Sequence, residues 1–529
     1  PVQPLAVWYG GAYAQDEWRP KANLSLTAGV RFDVPVFGNT AYANANVDAL
    51  TFRDEKGASV NYQTGKLPDP KLLWSPRVGV NWDVTGDKSL QVRGGTGVFT
   101  GRPAYVWISN QIGNTGVLTG FSQFDNTTTR PFSPDIDKYK PATVTGAPAT
   151  SVDLAVTDPN FKFPQVWRSN IAVDRKLPWG MTGTAEFLYN RDVNGIYYIN
   201  ANLPAAQSAF VGVDSRPRWT GTSCSTPTVG PCVTRLNNAA GNVITNAIVL
   251  KNQGVGRSWN FAGTLAKTMT SGFAVKGVYS YGTSRNTVDP GSIASGSFTG
   301  NPQHGDPNNP GLGYSGTAAG HRAFVLASYT REYFHFGATT VSLFWETRAN
   351  GNTSYLFAGD MNGDTATNND LIYVHRDQSE MNFSAFTVGA RTYTAAAQAA
   401  AWDAYISQDP YLSKHRGQYA ERGAVFLPLV TRADLSVTQD VFANIKGRRN
   451  AFQVRLDVTN FGNLLNHNWG VGQRLVRNQV LTNPSVDAAG KSAYRLVLVN
   501  GEFLTKSLQT TTFASDVYSF MISVRFTFN

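Results

Sequence analysis

Apolar and polar side chains alternate through long stretches of the chain, the period of a strand with two unlike faces. Leu24, Leu26, Ala28, Val30 and Phe32 fall on one face, and Ser25, Thr27, Gly29, Arg31 and Asp33 on the other. Val78, Val80, Trp82 and Val84 stand against Arg77, Asn81 and Asp83 in the same way. So do Trp259, Phe261 and Leu265 against Asn260 and Thr264, and Phe452, Val454, Leu456 and Val458 against Gln453, Arg455, Asp457 and Thr459. The last segment sets Phe520, Ile522, Val524, Phe526 and Phe528 against Ser523, Arg525 and Thr527. None of these stretches carries the i, i+3, i+4 spacing of a helix. The pattern predicts about thirteen strands: 5–18, 24–34, 76–84, 90–100, 166–176, 181–190, 258–267, 273–282, 322–330, 336–347, 432–440, 450–460 and 516–528.

A soluble sandwich also alternates, so the connections must decide. Short turns are predicted at 19–23, 85–89, 177–180, 268–272 and 331–335, with a looser one near 441–449. Long polar segments lie between the hairpins, at 35–75, 101–165, 191–257, 283–321, 348–431 and 461–515. Short turns alternating with long loops is the outer-membrane arrangement. Six structureless loops of this length would be unusual in a soluble domain.

Composition agrees. Only 16% of residues are charged, against about 25% in soluble chains, as a lipid-facing belt would require. No window holds the ~20 apolar residues of a spanning helix, so a membrane fold must be a closed sheet that pairs its own backbone groups. Trp18, Trp74, Trp167, Trp179 and Trp345 near the strand ends suit interfacial girdles, although singly each also suits ordinary packing. The net charge of +10 is scattered rather than clustered, which argues against a nucleic-acid partner. The opening PVQPLAVWYG has neither a basic n-region nor an apolar h-region, so a leader was cleaved or the natural start lies upstream.

The stretch AYAQDEWRPKANLSLTAGVRFDVP (13–36) resembles the barrel signature of TonB-dependent outer-membrane receptors. SPRVGVNWDVTGD (75–87), residues 92–116, residues 163–194, GDMNGDTATNNDLIYVHRD (359–377) and LDVTNFGNLLNHNWG (456–470) resemble its Oar-like branch. Full-length members of that branch begin with a carboxypeptidase-regulatory-like domain and a plug. The resemblance implies an all-β transmembrane barrel of 22 strands. Residues 1–529 would then be a partial barrel domain with long extracellular loops. Its plug, TonB box and first strands have no counterpart here. The resemblance also implies outer-membrane lipid, the plug, the TonB complex and a large nutrient as partners, and Phe520, Phe526 and Phe528 as the C-terminal barrel signal. Strand parity points the same way. An odd count, with the first and last strands both running downward, calls for at least one upward strand before residue 1. A hairpin within 493–512 would not change that. The expected sheet is open, with edges at 5–18 and 516–528.

Candidate chemistry is sparse. In DMNGDTATNND, Asp360, Asn362, Asp364, Asn369 and Asp370 offer oxygen donors around Gly363, as a calcium loop does. The twelfth position lacks a glutamate, and an Asx-rich turn capping its own backbone explains the same residues. No other cofactor is expected. Cys224 and Cys232 in a turn-rich loop read as a disulfide in an oxidising compartment, or as two unrelated thiols. Arg31, Asp33, Arg77, Asp83, Arg93, Asp174, Glu186, Arg455 and Asp457 would line the lumen, either docking a plug or simply keeping a wide lumen wet. Trp107, Phe121, Phe124, Trp219, Tyr355 and Tyr411 could stack on a ligand or pack the loops.

The histidines (His304, His321, His335, His375, His415 and His467) form no zinc spacing. Neither a GxSxG elbow nor a phosphate-binding GxxxxGK[ST] loop occurs, and the glycines of RGGTGVFTG suit close strand packing. An enzyme is therefore not expected. TonB-dependent uptake leads, with a surface adhesion or structural barrel as the alternative and a passive porin behind both.

Overall fold

The computed structural model describes residues 4–117, 128–139, 151–219, 235–239, 242–268, 271–445 and 448–528. One large antiparallel sheet dominates it. Its path runs β1 (Val7–Lys21), β2 (Leu24–Phe37), β3 (Leu73–Asp83), β4 (Leu90–Thr100), β5 (Gln165–Leu177), β6 (Met181–Asp192) and β7 (Arg257–Thr268). It continues through β8 (Phe273–Asn286), β9 (Gly320–Tyr333), β10 (Gly337–Ala349), β11 (Leu429–Ile445), β12 (Arg448–Thr459) and β13 (Ser519–Thr527). Every expected segment overlaps one of these strands. The two-residue strand Gly313–Tyr314 pairs with the end of β8 and brings the sheet to fourteen.

Each wall strand pairs only with its sequence neighbours, and no pairing joins β1 to β13 among the described residues. The register sorts side chains as the alternation predicts. Val30 opposes Ala14, Val80 opposes Leu26, Leu456 opposes Val437 and Ile522, and Phe526 opposes Phe452. These rows form one broad exposed apolar face. Arg31, Arg93 and Arg455 stand on the opposite face.

Close strand approach explains the RGGTG glycines. A Cβ on Gly94 would lie 2.8 Å from the Asn170 carbonyl oxygen, and one on Gly97 would lie 2.7 Å from the Arg77 Cβ. The last strand starts later than the expected 516. Asp516 instead anchors a short 3-10 turn, Ala514–Asp516. Its carboxylate accepts the backbone N–H groups of Phe513 and Gly472 and the Thr511 hydroxyl, at 2.6–3.0 Å. Residues 493–512 add nothing to the wall; they pair within three small sheets of their own.

The long connections are not structureless, which corrects the sequence reading. They hold the molecule's hydrophobic core in three clusters. One gathers Phe210, Tyr355, Phe357, Trp402, Tyr405, Leu481 and Tyr494 from three loops, around the helix Ala395–Gln408. Its helix is opened by Thr394, whose hydroxyl accepts the Ala397 N–H at 3.1 Å. A second packs Ile108, Ile112, Phe161, Phe163, Tyr198 and Phe298, and a third Phe52, Leu154, Ile199 and Val249. Strand Asn242–Gln253 stitches the last two, pairing antiparallel with Gly195–Asn200 and parallel with Ser151–Thr157. Burying apolar area is worth about 25 cal/mol per Å², so this layer has its own driving force. The wall, apolar on its outside, has no such interior.

Candidate functional site

The charged face of the wall is laced by ion pairs between neighbouring positions. Arg31 holds Asp33 at 2.8 Å. Arg93 reaches Asp174 at 2.9 Å, and Asp174 also accepts the Thr184 hydroxyl at 2.6 Å. Arg455 holds Asp457 at 2.7 Å, and Glu346 receives Arg322 and Arg348. Arg77 donates to Gln15 at 3.0 Å. Glu186 lies in the row of Arg93, one strand beyond Ala172. The expected lumen residues thus share a face, and Arg31 with Asp33, Arg93 with Asp174 and Arg455 with Asp457 pair among themselves; Asp83 has a different task. Asp83 keeps the parity, but its carboxylate accepts the N–H groups of Gly86 and Lys88, so it holds the β3–β4 turn.

The loop around Gly363 lies in a knot of buried charge where three connections meet. Asp360 accepts the N–H groups of Gly363 and Thr365, and Asp364 that of Ala366. Asp364 also accepts from the side-chain amides of Asn362 and Gln303, at 3.2 and 3.3 Å. Asp370 accepts the Met361 N–H at 2.7 Å and Arg216 at 3.2 Å. Arg216 is fully buried; it pairs with Asp214 at 2.9 Å, donates to the Leu371 carbonyl at 2.8 Å, and lies over the Phe357 and Tyr419 rings. Arg235 reaches Thr365 and the Asp364 carbonyl.

Burial disfavours the ionised carboxyls here. It raises Asp360, lifts Asp364 well above the carboxylate range with Asp370 and Asp360 adding repulsion, and pushes Asp370 up to about 6 against the pull of Arg216. Asp214, Arg216, Arg235 and Gln303 escaped the sequence reading. Arg216 and Asp370 are 154 positions apart, and no local pattern signals such a meeting. Among the described residues, no three His, Cys, Asp or Glu side chains come together in an arrangement that would hold a metal ion.

The loop aromatics are engaged internally. Trp107 donates to the Gly291 carbonyl, Trp219 to the Pro204 carbonyl and Tyr355 to Asp409, while the Tyr411 hydroxyl accepts the Glu421 N–H. Phe121, Phe124, Cys224 and Cys232 lie outside the described residues. A recess of about 560 Å³ opens between the loops, with Asp289, Ser297 and Arg422 on its wall. His375 is buried between Trp402, whose Nε1 donates to Nδ1 at 3.1 Å, and the Tyr494 hydroxyl at Nε2. Burial lowers its pKa to about 4.

An antiparallel wall with one apolar and one charged face, short turns at one end and packed loops at the other, is the transmembrane barrel wall of an outer-membrane protein. The chain belongs to the outer membrane beta-barrel domain family, whose model matches residues 2–480. Its place is the bacterial outer membrane, its apolar face is the lipid-facing one, and its family is one of barrels, not enzymes. No curated protein matches the chain.

Solved structures similar to it include the siderophore receptor PiuA from Acinetobacter baumannii, at 9% identity and TM-score 0.37 over 98% of this chain and 43% of that one. The copper transporter OprC aligns at 9% identity and TM-score 0.40, over 98% of this chain and 49% of that one. The outer membrane transporter YddB from Escherichia coli aligns at 7% and 0.40, over 98% and 55%. The chain spans about half the length of the solved structures it matches.

Proposed function

We propose that this chain is the C-terminal part of the barrel of a TonB-dependent receptor of the Oar-like branch, which takes up a large ligand across the outer membrane. The observation that carries the reading is the unclosed path from β1 to β13. Edge strands in lipid would leave backbone groups unpaired at several kcal/mol each, so the working barrel takes further strands between them. A barrel of about 22 strands leaves a lumen that needs a plug. The self-paired charges of the inner face suit a polar plug held by exchangeable contacts. Phe526 and Phe528, in edge contact at 4.1 Å at the end of β13, would present the C-terminal signal for assembly.

The test is binding of the soluble periplasmic domain of TonB to the full-length protein in detergent. Saturable binding, lost when the segment before the barrel is deleted, is expected. A full-length protein that ignores TonB would instead be a surface adhesion or structural barrel. The three packed loop clusters favour that second reading, because they form a built outer surface.

A further inference from the structure

Buried charge is tolerated when it is paired or bound to a metal. At the junction of the three loops, four carboxylates (Asp214, Asp360, Asp364 and Asp370) meet two guanidiniums, Arg216 and Arg235. Ionised, the group carries two negative charges in excess. Asp153 lies within electrostatic reach of Arg235 and adds to the excess, its Oδ1 buried without a partner.

Two neutral side chains point independently to a cation site. Asn369 is 1% exposed, and neither its Oδ1 nor its Nδ2 has a hydrogen-bond partner. Gln303 is 6% exposed; its Nε2 donates to Asp364 while its Oε1, on the same amide, has none. Gln303 also bridges to the acidic loop through its backbone, donating to the Asn369 carbonyl at 3.0 Å and accepting from the Leu371 N–H at 3.0 Å. An unsatisfied buried polar atom costs about 1–3 kcal/mol. The Gln303 amide touches Asp364 and Asn369 directly precedes Asp370, and side-chain amide oxygens are among the ligands that a hard cation uses.

We propose that this junction binds calcium through the Asp364 and Asp370 carboxylates and the side-chain oxygens of Asn369 and Gln303. Water completes the shell. The donors are all oxygen and come from flexible loops, which suits calcium's loose six- to eight-fold coordination better than the strict octahedron of magnesium. Arg216 also holds Asp370, at 3.2 Å, and an ion shared by Gln303 with Asp364 and Asp370 would tie the two loops together. The site stands whether or not the barrel transports anything.

The test takes full-length protein in detergent, stripped with EDTA and titrated with terbium(III). Trp219 is a built-in antenna, since its backbone N–H donates to the Asn362 carbonyl at 2.8 Å. Sensitised emission is expected that calcium displaces and that vanishes in Trp219→Phe. Asp364→Asn, nearly the same shape, should weaken binding by roughly tenfold or more. Emission that is absent, that survives both substitutions, or that magnesium displaces as well as calcium overturns the proposal. Protease resistance of the 350–428 connection covers the case of a misfolded variant. In wild-type protein it should rise with calcium over EDTA, and no change overturns the proposal too.

Discussion

Trp8 and Trp18 stand on the same face of β1, ten residues apart and both about three-fifths exposed, opposite Val36 and Leu26. Ten residues of strand span ~33 Å. Tilted by about 40°, they cover ~25 Å of bilayer, the height of the apolar band in such barrels. Trp74 and Trp167 join Trp8 at the loop end, and Trp82 and Trp179 join Trp18 at the turn end. The two indoles mark the upper and lower interfaces.

Midway between them, Val30 faces lipid opposite Ala14. Val30→Arg in the full-length protein should lose roughly 2–4 kcal/mol, the cost of a cation at mid-depth. Arg31→Leu on the opposite face should lose an ion pair to Asp33 but no solvation in lipid. Urea unfolding in lipid vesicles gives both numbers. A tolerated Val30→Arg would reverse the assignment of the faces.

Gly97 lies between Arg77 and Arg168 on the neighbouring strands. Gly97→Val should cost about 1–3 kcal/mol by overpacking, read from the same urea transitions. Gly263→Ala, with nothing within 4 Å of its new methyl, is the matched control and should be near neutral.

The β9–β10 turn puts two non-glycine residues, Phe334 (φ 54°) and His335 (φ 57°), in the left-handed region. Positive φ is adopted without strain by Gly, and more readily by Asn than by Phe. His335→Gly relieves one strained residue and leaves Phe334 on Phe336, 6.0 Å apart. A gain of about 0.5–1 kcal/mol is expected, strain relief outweighing glycine's greater unfolded entropy. A lower urea midpoint would show that the imidazole makes a contact worth more than the strain.

His375 should make the loop layer acid-sensitive. Its Nδ1 accepts from Trp402, so protonation there would set two donors against each other. Tyr373, Tyr494, Arg416 and Asp214 are its other neighbours of consequence. The folded pKa is about 4 against 6.5 in the open chain. The unfolded state therefore binds more protons between those values, and stability falls as pH drops from 6.5 towards 4, by about 3 kcal/mol in all. Asp370, raised to about 6, acts in the opposite sense, since its folded form takes up the proton first. The contribution of His375 is thus the difference between wild type and His375→Gln, followed by amide exchange in helix Ala395–Gln408. Parallel pH profiles for the two proteins would refute it.

The wall was legible because one rule, period two, governs every strand, and a register slip would move each charge into lipid. Even there, alternation could not distinguish Arg93, which lines the wall, from Asp83, which holds a turn. The loop layer was illegible for a different reason. Its clusters draw single residues from connections far apart in sequence, as Phe210 joins Tyr355 and Tyr494, and no period marks them. The Asx-rich loop was visible by composition, but Arg216 and Gln303, which complete its surroundings, carry no local signature.

The packed connections also change what sequence variation can do. Surface loops usually vary one at a time, because each is anchored only at its own two ends. Here Asn242–Gln253 is a shared strand, Gln303 borrows hydrogen bonds from the neighbouring loop, and Trp402 fills a cluster fed by three connections. An insertion in one of these segments displaces its neighbours. Exposed tips such as Gly389, which has open space around it, remain free to drift. The outer surface of this barrel therefore diversifies as one correlated unit with a few independent points.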